Sequence, residues 1–158
     1  MRHRATLTLA VVLAMLAALA VLVPAAPAQA RPAEDRLERL ARAKINALRA
    51  QNGVRPLRIS RGLTRSAASY ARYMMRSGYF GHRSTIHAPR RYRSLGEIIL
   101  LHRGLHPKPR VAVKNWARSS GHRYVMLSPK FGSVGVGKAS GHFQGHRVTL
   151  WVSHVGRK

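Results

Sequence analysis

Residues 132–156, with the sequence GSVGVGKASGHFQGHRVTLWVSHVG, decide the fold of the C-terminal part of the chain. Apolar side chains occupy alternate positions in 134–136 and again in 148–152. A period of two is typical of β-strands, because successive side chains point to opposite faces. The glycine-bounded segment 141–145 separates the two runs, and we expect it to form a turn. The stretch therefore predicts a C-terminal antiparallel β-hairpin.

The segments that precede the hairpin have helical spacing. Apolar residues recur every three or four positions from Asp35 to Gln51, and again from Ser60, a capping residue, through Ser77. Gly53 and Gly78 follow these segments and are typical helix ends. A shorter helix fits Pro109 to Arg118, with proline in its first turn. Helices followed by strands in one domain predict an α+β fold rather than βαβ winding.

Composition narrows the class of protein. The 158 residues contain 29 Lys+Arg against 4 Asp+Glu, a formal net charge of +25, and 46% of them are hydrophobic. A chain of this length makes one domain, and its apolar content is sufficient for a folded core. The absence of cysteine excludes disulfides, thiolate metal sites and cysteine nucleophiles.

The N-terminus has the pattern of an export signal. Positive charges at 2–4 precede the uncharged, apolar run 5–23, and Ala28-Gln29-Ala30 supplies small residues where a signal peptidase reads. We expect residues 1–30 to be a secretory signal peptide and residues 31–158 to be a single extracellular domain. The alternative is an uncleaved membrane anchor, since an almost wholly apolar run of 19 residues is near the minimum for crossing a bilayer.

Export can be tested directly. N-terminal sequencing of protein from culture supernatant is expected to begin at Arg31, because cleavage would follow Ala30. Recovery of the full-length chain in membranes alone would instead identify the segment as an anchor.

Glu97 is the sole acidic residue in the 120 residues from Arg39 to the C-terminus, which contain 25 Lys+Arg. A lone carboxylate in such a basic stretch indicates a specific role. One interpretation is an ion pair with a nearby arginine such as Arg91 or Arg93. The other is a metal ligand or general base that acts with histidines.

Six short motifs follow one another along the chain. In order they are Asn46 with Arg49; Pro56-Leu57; Gly78-Tyr79-Phe80-Gly81-His82; Gly96-Glu97-Ile98-Ile99; Trp116 with Ser119-Ser120-Gly121-His122-Arg123; and Phe131 to Gly137 with Trp151 and Gly156. Their order resembles that of the CAP superfamily (cysteine-rich secretory, antigen 5 and pathogenesis-related proteins), in its short bacterial secreted branch. The match covers nearly the whole chain after the leader.

The resemblance implies an α-β-α sandwich with a central cleft that holds two histidines and one or two glutamates. These carry over to His82, Glu97 and His122, a His₂Glu set able to bind zinc or another divalent cation. Longer members have a second glutamate after the tryptophan, where this chain has Ala117-Arg118-Ser119-Ser120. Ile98 and Val125 also replace asparagines of the family pattern. We therefore expect any metal binding to be weak.

The other histidines of the expected mature chain are interpreted as solvated polar positions, and the segment around His102 and His106 as a loop. They are His87, His102, His106, His142, His146 and His154.

The functional expectation is a monomeric binding or interaction module with no catalytic residues. One alternative is a hydrolase, either metal-dependent or with Ser119 or Ser120 acting near His122 and Glu97. Another is a protein that binds polyanions or membrane surfaces and whose cleft is vestigial.

The densest basic cluster, Arg90, Arg91 and Arg93, is the candidate anion-binding site, because arginine contacts phosphate and carboxylate bidentately. Lipid headgroups and wall polymers are the expected anions. Nucleic acid would bind nonspecifically, since the sequence has no stacking platform or recognition helix.

Overall fold

The first helix, α1 (Arg36–Gln51), begins at a capping box. In the computed structural model, which describes residues 35–158, the Asp35 side chain accepts hydrogen bonds from the backbone N–H groups of Leu37 and Glu38. The Glu38 carboxylate accepts in return from the Asp35 N–H. These bonds satisfy donors that a helix otherwise leaves unpaired, so the predicted start near Asp35 is confirmed. The expected signal peptide lies outside the described residues.

Two further helices have the predicted bounds. Helix α2 (Arg61–Ser77) is capped by Ser60 and ends at Gly78, whose φ of 65° is in the left-handed region. Helix α3 (Pro109–Arg118) carries its proline in the first turn. A fourth helix, α4 (Ser120–Leu127), was not predicted, because it contains one buried residue and lacks a side-chain cap. Within residues 35–158, no helix is both long and apolar enough to cross a membrane.

The sheet has four strands: β1 (Arg58–Ile59), β2 (Ser94–Arg103), β3 (Ser133–Phe143) and β4 (His146–Arg157). Their spatial order is β1-β3-β4-β2, with β1 parallel to β3 and the other pairs antiparallel. The predicted hairpin is confirmed, but its turn is tighter than expected. Gln144 and Gly145, with φ of 47° and 78°, make the turn, and residues 141–143 continue β3.

Strand β2 escaped prediction because its apolar run does not alternate with polar residues. Ile98 and Leu100 pack into one hydrophobic core, and Ile99 and Leu101 pack into the other. A strand covered on both faces reads as a continuous apolar run, which periodicity cannot assign. The interpretation of His102 as a loop residue was wrong, since it lies in β2.

Helices cover both faces of the sheet. Residues of α1, α3 and α4 pack with Trp116 and Trp151 in one core, and α2 packs with Leu150 and Val152 in the other. The expected α-β-α sandwich is therefore confirmed.

Helix α2 lies directly on two glycines of β3. A Cβ at Gly135 would overlap the backbone of Leu63 and Thr64, and one at Gly137 would overlap the backbone of Ala68. Because glycine has no side chain, α2 lies closer to the sheet than it could if any other residue occupied these two positions. The close approach brings the side chains of α2 within reach of β4.

A buried arginine joins α1 to the loops beneath it. Arg49 is 1% exposed. Its guanidinium donates to the carbonyl oxygens of Arg55 (2.8 Å), Met126 (2.7 Å), Ser128 (3.1 Å) and Phe131 (3.2 Å). The planar fork of arginine suits several acceptors at once, so this side chain fixes two separate loop segments relative to each other.

The glycine contact generates a stability prediction. Gly137→Ala is expected to lower the free energy of unfolding by about 3 kcal/mol or more, because a methyl group would push α2 off the sheet. The control is Gly121→Ala in α4, where a Cβ meets nothing within 4 Å and alanine favours the helix. Urea unfolding should find the control neutral or stabilised. Equal stability of both variants would contradict the close-packing argument.

Candidate functional site

The carboxylate of Glu97 lies at the centre of the candidate site. Glu97 on β2 is directly paired with His154 on β4 in the antiparallel register. Its Oε2 lies 2.8 Å from His154 Nε2, and the side chains of Glu97 and His154 are 5% and 0% exposed. Because directly paired side chains share a face of the sheet, the register itself brings the two groups together.

The second oxygen of Glu97 holds the segment that follows α2. Oε1 is 3.0 Å from His82 Nδ1 and accepts a hydrogen bond of 3.1 Å from the Arg83 backbone N–H. Both carboxylate oxygens are therefore engaged, one by the sheet and the other by the loop. The carboxylate faces imidazoles rather than an exposed arginine.

The network ends at a serine of α2. His154 Nδ1 lies 3.0 Å from Ser66 Oγ. An ionised carboxylate can only accept hydrogen bonds, so we assign the Nε2 proton of His154 to the bond with Glu97. In the neutral imidazole, Nδ1 then accepts from the Ser66 hydroxyl. Ser66, His154 and Glu97 thus form a continuous hydrogen-bonded chain.

The network keeps Glu97 ionised. Burial acts to raise the pKa of the Glu97 carboxyl, but hydrogen bonds from His154, His82 and the Arg83 N–H outweigh it and hold the pKa below its ordinary value. A buried carboxylate with several donors is a recognised low-pKa arrangement. Glu97 is therefore an anion at neutral pH.

His82 and His122 face each other beside this network. Their ring centroids are 6.0 Å apart, with the planes tilted by 56°. The bond to Glu97 uses His82 Nδ1, and Nε2 has no hydrogen-bond partner among residues 35–158 on a side chain that is 55% exposed. Burial, followed by the nearby His82, lowers the pKa of His122, so its imidazole stays neutral at neutral pH.

The three residues expected to bind a metal differ in how far their polar atoms are already engaged. The Glu97 oxygens are already engaged, and within residues 35–158 no group of three His, Cys, Asp or Glu side chains is arranged to hold an ion. Binding of a metal by His82, Glu97 and His122 remains a prediction.

His154 was not predicted to be a site residue. It was interpreted as a solvated residue and is fully buried, so that interpretation was wrong. The sequence did contain a signal for its burial, because His154 lies in the predicted C-terminal hairpin. A polar side chain that is buried in such a strand needs a hydrogen-bond partner. The identity of that partner depends on the register between β2 and β4, and β2 was not predicted.

A cavity lined by tyrosines adjoins His82. It has a volume of about 470 Å³, and its lining includes Tyr70, Tyr73, Tyr79, His82 and Arg83. The Arg83 guanidinium lies 4.7 Å from the ring centroid of Tyr70 and 5.8 Å from that of Tyr73. Burial and the Glu97 charge raise the pKa of Tyr70 to about 12, and its hydroxyl donates to the Gly81 carbonyl at 2.5 Å. The cavity thus combines aromatic faces, a cation and an imidazole.

Two serine arrangements bear on the hydrolase alternative. Ser119 and Ser120 lie at the junction of α3 and α4, and in the described part of the chain neither side chain hydrogen-bonds His122 or Glu97. The Ser66–His154–Glu97 chain has the residue types of a hydrolytic triad, but Ser66 is 8% exposed and His154 is fully buried. A nucleophile must reach a substrate carbonyl, which this burial prevents.

The arginine cluster lies just before β2. Arg91 Nη2 donates to Ser60 Oγ at 3.5 Å, and its guanidinium is 5.4 Å from the Tyr92 ring centroid. Arg90, Arg91 and Arg93 are all exposed. Anion binding by Arg90, Arg91 and Arg93 remains a prediction.

Comparisons with known proteins agree with this architecture. The family model described as "CAP: Cysteine-rich secretory protein family" matches residues 42–154. The uncharacterized protein YkwD of Bacillus subtilis is 33% identical over 101 residues, which are 58% of this chain and 38% of that protein. The chain therefore spans less than two fifths of that relative's length.

Solved structures show the same fold at low identity. An outer surface protein of Borrelia burgdorferi superposes with a TM-score of 0.66 at 14% identity, over 80% of this chain and 96% of that one. An extracellular protein containing an SCP domain from Bacillus anthracis gives a TM-score of 0.63 at 21% identity, over 85% of this chain and 45% of that one.

The Glu97 network predicts how stability depends on pH. Because the folded-state pKa of Glu97 is lowered, its contribution is complete above the ordinary carboxyl pKa and is lost as the pH falls through the folded-state value. Glu97→Ala is expected to lower the free energy of unfolding at pH 7 by about 3 kcal/mol, since it leaves His154 buried without its acceptor. The free energy of unfolding of this variant should also fall less between pH 7 and pH 4 than that of the parent protein.

Urea unfolding at pH 7 and pH 4 measures both effects. The matched control is Asp35→Asn, which removes another carboxylate but keeps a good N-cap, and it should cost less than about 1 kcal/mol at pH 7. An equally small cost for Glu97→Ala would contradict the anchoring role of Glu97.

Proposed function

The chain belongs to the CAP (cysteine-rich secretory protein) family, and from that premise we propose that it is a secreted binding protein and not an enzyme. The export pattern of residues 1–30 supports secretion, as does the description of the Bacillus anthracis relative as extracellular. The ligand site is the cleft around His82 and His122.

One observation carries the proposal: both oxygens of Glu97 already accept hydrogen bonds from neighbouring groups. Oε1 serves His82 and the Arg83 N–H, and Oε2 serves His154. A general base must accept a proton from a reacting group, and a carboxylate whose pKa is held low by three donors is poorly suited to that. Glu97 instead orients His82, the role that carboxylates have behind ligand-binding histidines.

The groups that remain available are the imidazoles. The His82 side chain is 55% exposed and uses only Nδ1 in its bond to Glu97, and His122 stays neutral because its pKa is lowered. Neutral imidazole is what a divalent cation such as zinc requires, and two such ligands leave positions for water or a small ligand. The basic composition opposes a cation, so the binding is expected to be weak.

A zinc titration tests the cleft. Calorimetry at pH 7.5 is expected to show one weakly bound ion, and His82→Ala or His122→Ala should each reduce the affinity by about tenfold or more. His146→Ala, which removes an exposed histidine at the hairpin turn, is the control and should bind as the parent does. The affinity should fall at pH 5, where the imidazoles protonate.

The outcome that opposes zinc binding is a titration in which the His82 and His146 variants behave alike. Catalysis is tested separately with peptide and ester libraries, in the presence and absence of a chelator. Turnover that is abolished by Glu97→Ala in a variant that remains folded would overturn the binding proposal.

A further inference from the structure

Each acidic side chain among residues 35–158 makes hydrogen bonds or an ion pair with neighbouring groups. Asp35 caps α1 and pairs with Lys138, Glu38 completes the capping box, and Glu97 is buried among its donors. The basic residues of the surface therefore have few carboxylates to balance them. Where several of these cations surround a concavity, an anion gains from all of them at once.

One such concavity lies between the segment that enters β1 and the segment that enters β3. It has a volume of about 350 Å³ and is lined by Arg55–Arg58 and Pro129–Gly132. Its lining contains three exposed basic residues, Arg55, Arg58 and Lys130, and no acidic residue. This basic cavity is separate from the His82 cleft, because the two have no lining residue in common.

The walls of the basic cavity are held rigidly. The buried guanidinium of Arg49 donates to the carbonyl of Arg55 on one wall and to the carbonyl of Phe131 on the other. The Arg58 N–H also donates to the Gly132 carbonyl at 3.0 Å, which joins the walls a second time. The cavity is thus preorganised, which lowers the ordering cost of binding.

Arg49 also contributes charge. Its hydrogen bonds leave the positive charge in place, since carbonyl acceptors carry no formal negative charge. A buried cation is screened less by salt than an exposed one. The cavity therefore has three cations around it and a fourth that is bonded to both of its walls.

We propose that the basic cavity binds a phosphate group. Arginine presents paired donors that match phosphate oxygens, and lysine adds a compact charge, so the three side chains can neutralise a mono- or dianion. The phosphate belongs either to a soluble phosphate ester or to a lipid headgroup, and the two probes below distinguish these sources. The site differs from the Arg90, Arg91 and Arg93 cluster that the sequence favoured.

Two variants with equal loss of charge test the location. The cavity variant combines Arg55→Gln, Arg58→Gln and Lys130→Gln, and the control combines Arg90→Gln, Arg91→Gln and Arg93→Gln. The probes are glycerol 3-phosphate, followed by NMR titration, and phosphatidylglycerol vesicles compared with phosphatidylcholine vesicles in co-sedimentation. Urea unfolding confirms that both variants are folded.

The cavity variant is expected to lose about tenfold or more in affinity for at least one phosphate probe at fixed ionic strength, and the control less than about threefold. Loss with glycerol 3-phosphate identifies a soluble phosphate ester as the source, and loss confined to phosphatidylglycerol vesicles identifies a lipid source. Equal losses in the two variants would reduce the effect to net charge and overturn the proposal. A larger loss in the control, or no loss in the cavity variant, would overturn it as well.

Discussion

The carboxylate of Glu97 is the group on which the organisation of the cleft depends. It joins the antiparallel strands β2 and β4 through His154 and draws the loop after α2 onto the sheet through His82 and the Arg83 N–H. A charge this well buried is tolerated because each oxygen has donors, and removing it would leave those donors without an acceptor. Glu97 therefore positions the histidines of the cleft, although we do not propose that it binds the ligand itself.

This network requires α2 to lie close to the sheet. Ser66 reaches His154 because the helix lies on Gly135 and Gly137, and Gly135 is paired with His154 in the sheet. Larger residues at the glycines would separate the layers and break the end of the hydrogen-bonded chain. The hydrogen bonds of the Glu97 network thus depend on the close packing of α2 against these two glycines.

The sequence predicted the elements that have their own local signals. Ser60 and Gly78 bound α2, and alternating apolar residues revealed the C-terminal hairpin. Strand β2 lacked such a signal, because both of its faces are buried. The pairing of Glu97 with His154 could not be predicted either, since it depends on the register between strands distant in sequence. The family resemblance supplied His82, Glu97 and His122 but not the division of their roles.

The central claim is that Glu97 holds two histidines by their ring N–H groups and leaves His82 Nε2 free to bind. Long-range ¹⁵N–¹H NMR of the histidine rings at pH 8 tests it most directly, because the method reports which nitrogen carries the proton. The account predicts the Nδ1–H tautomer for His82 and the Nε2–H tautomer for His154. A proton on His82 Nε2, or on Nδ1 of a neutral His154, would contradict it.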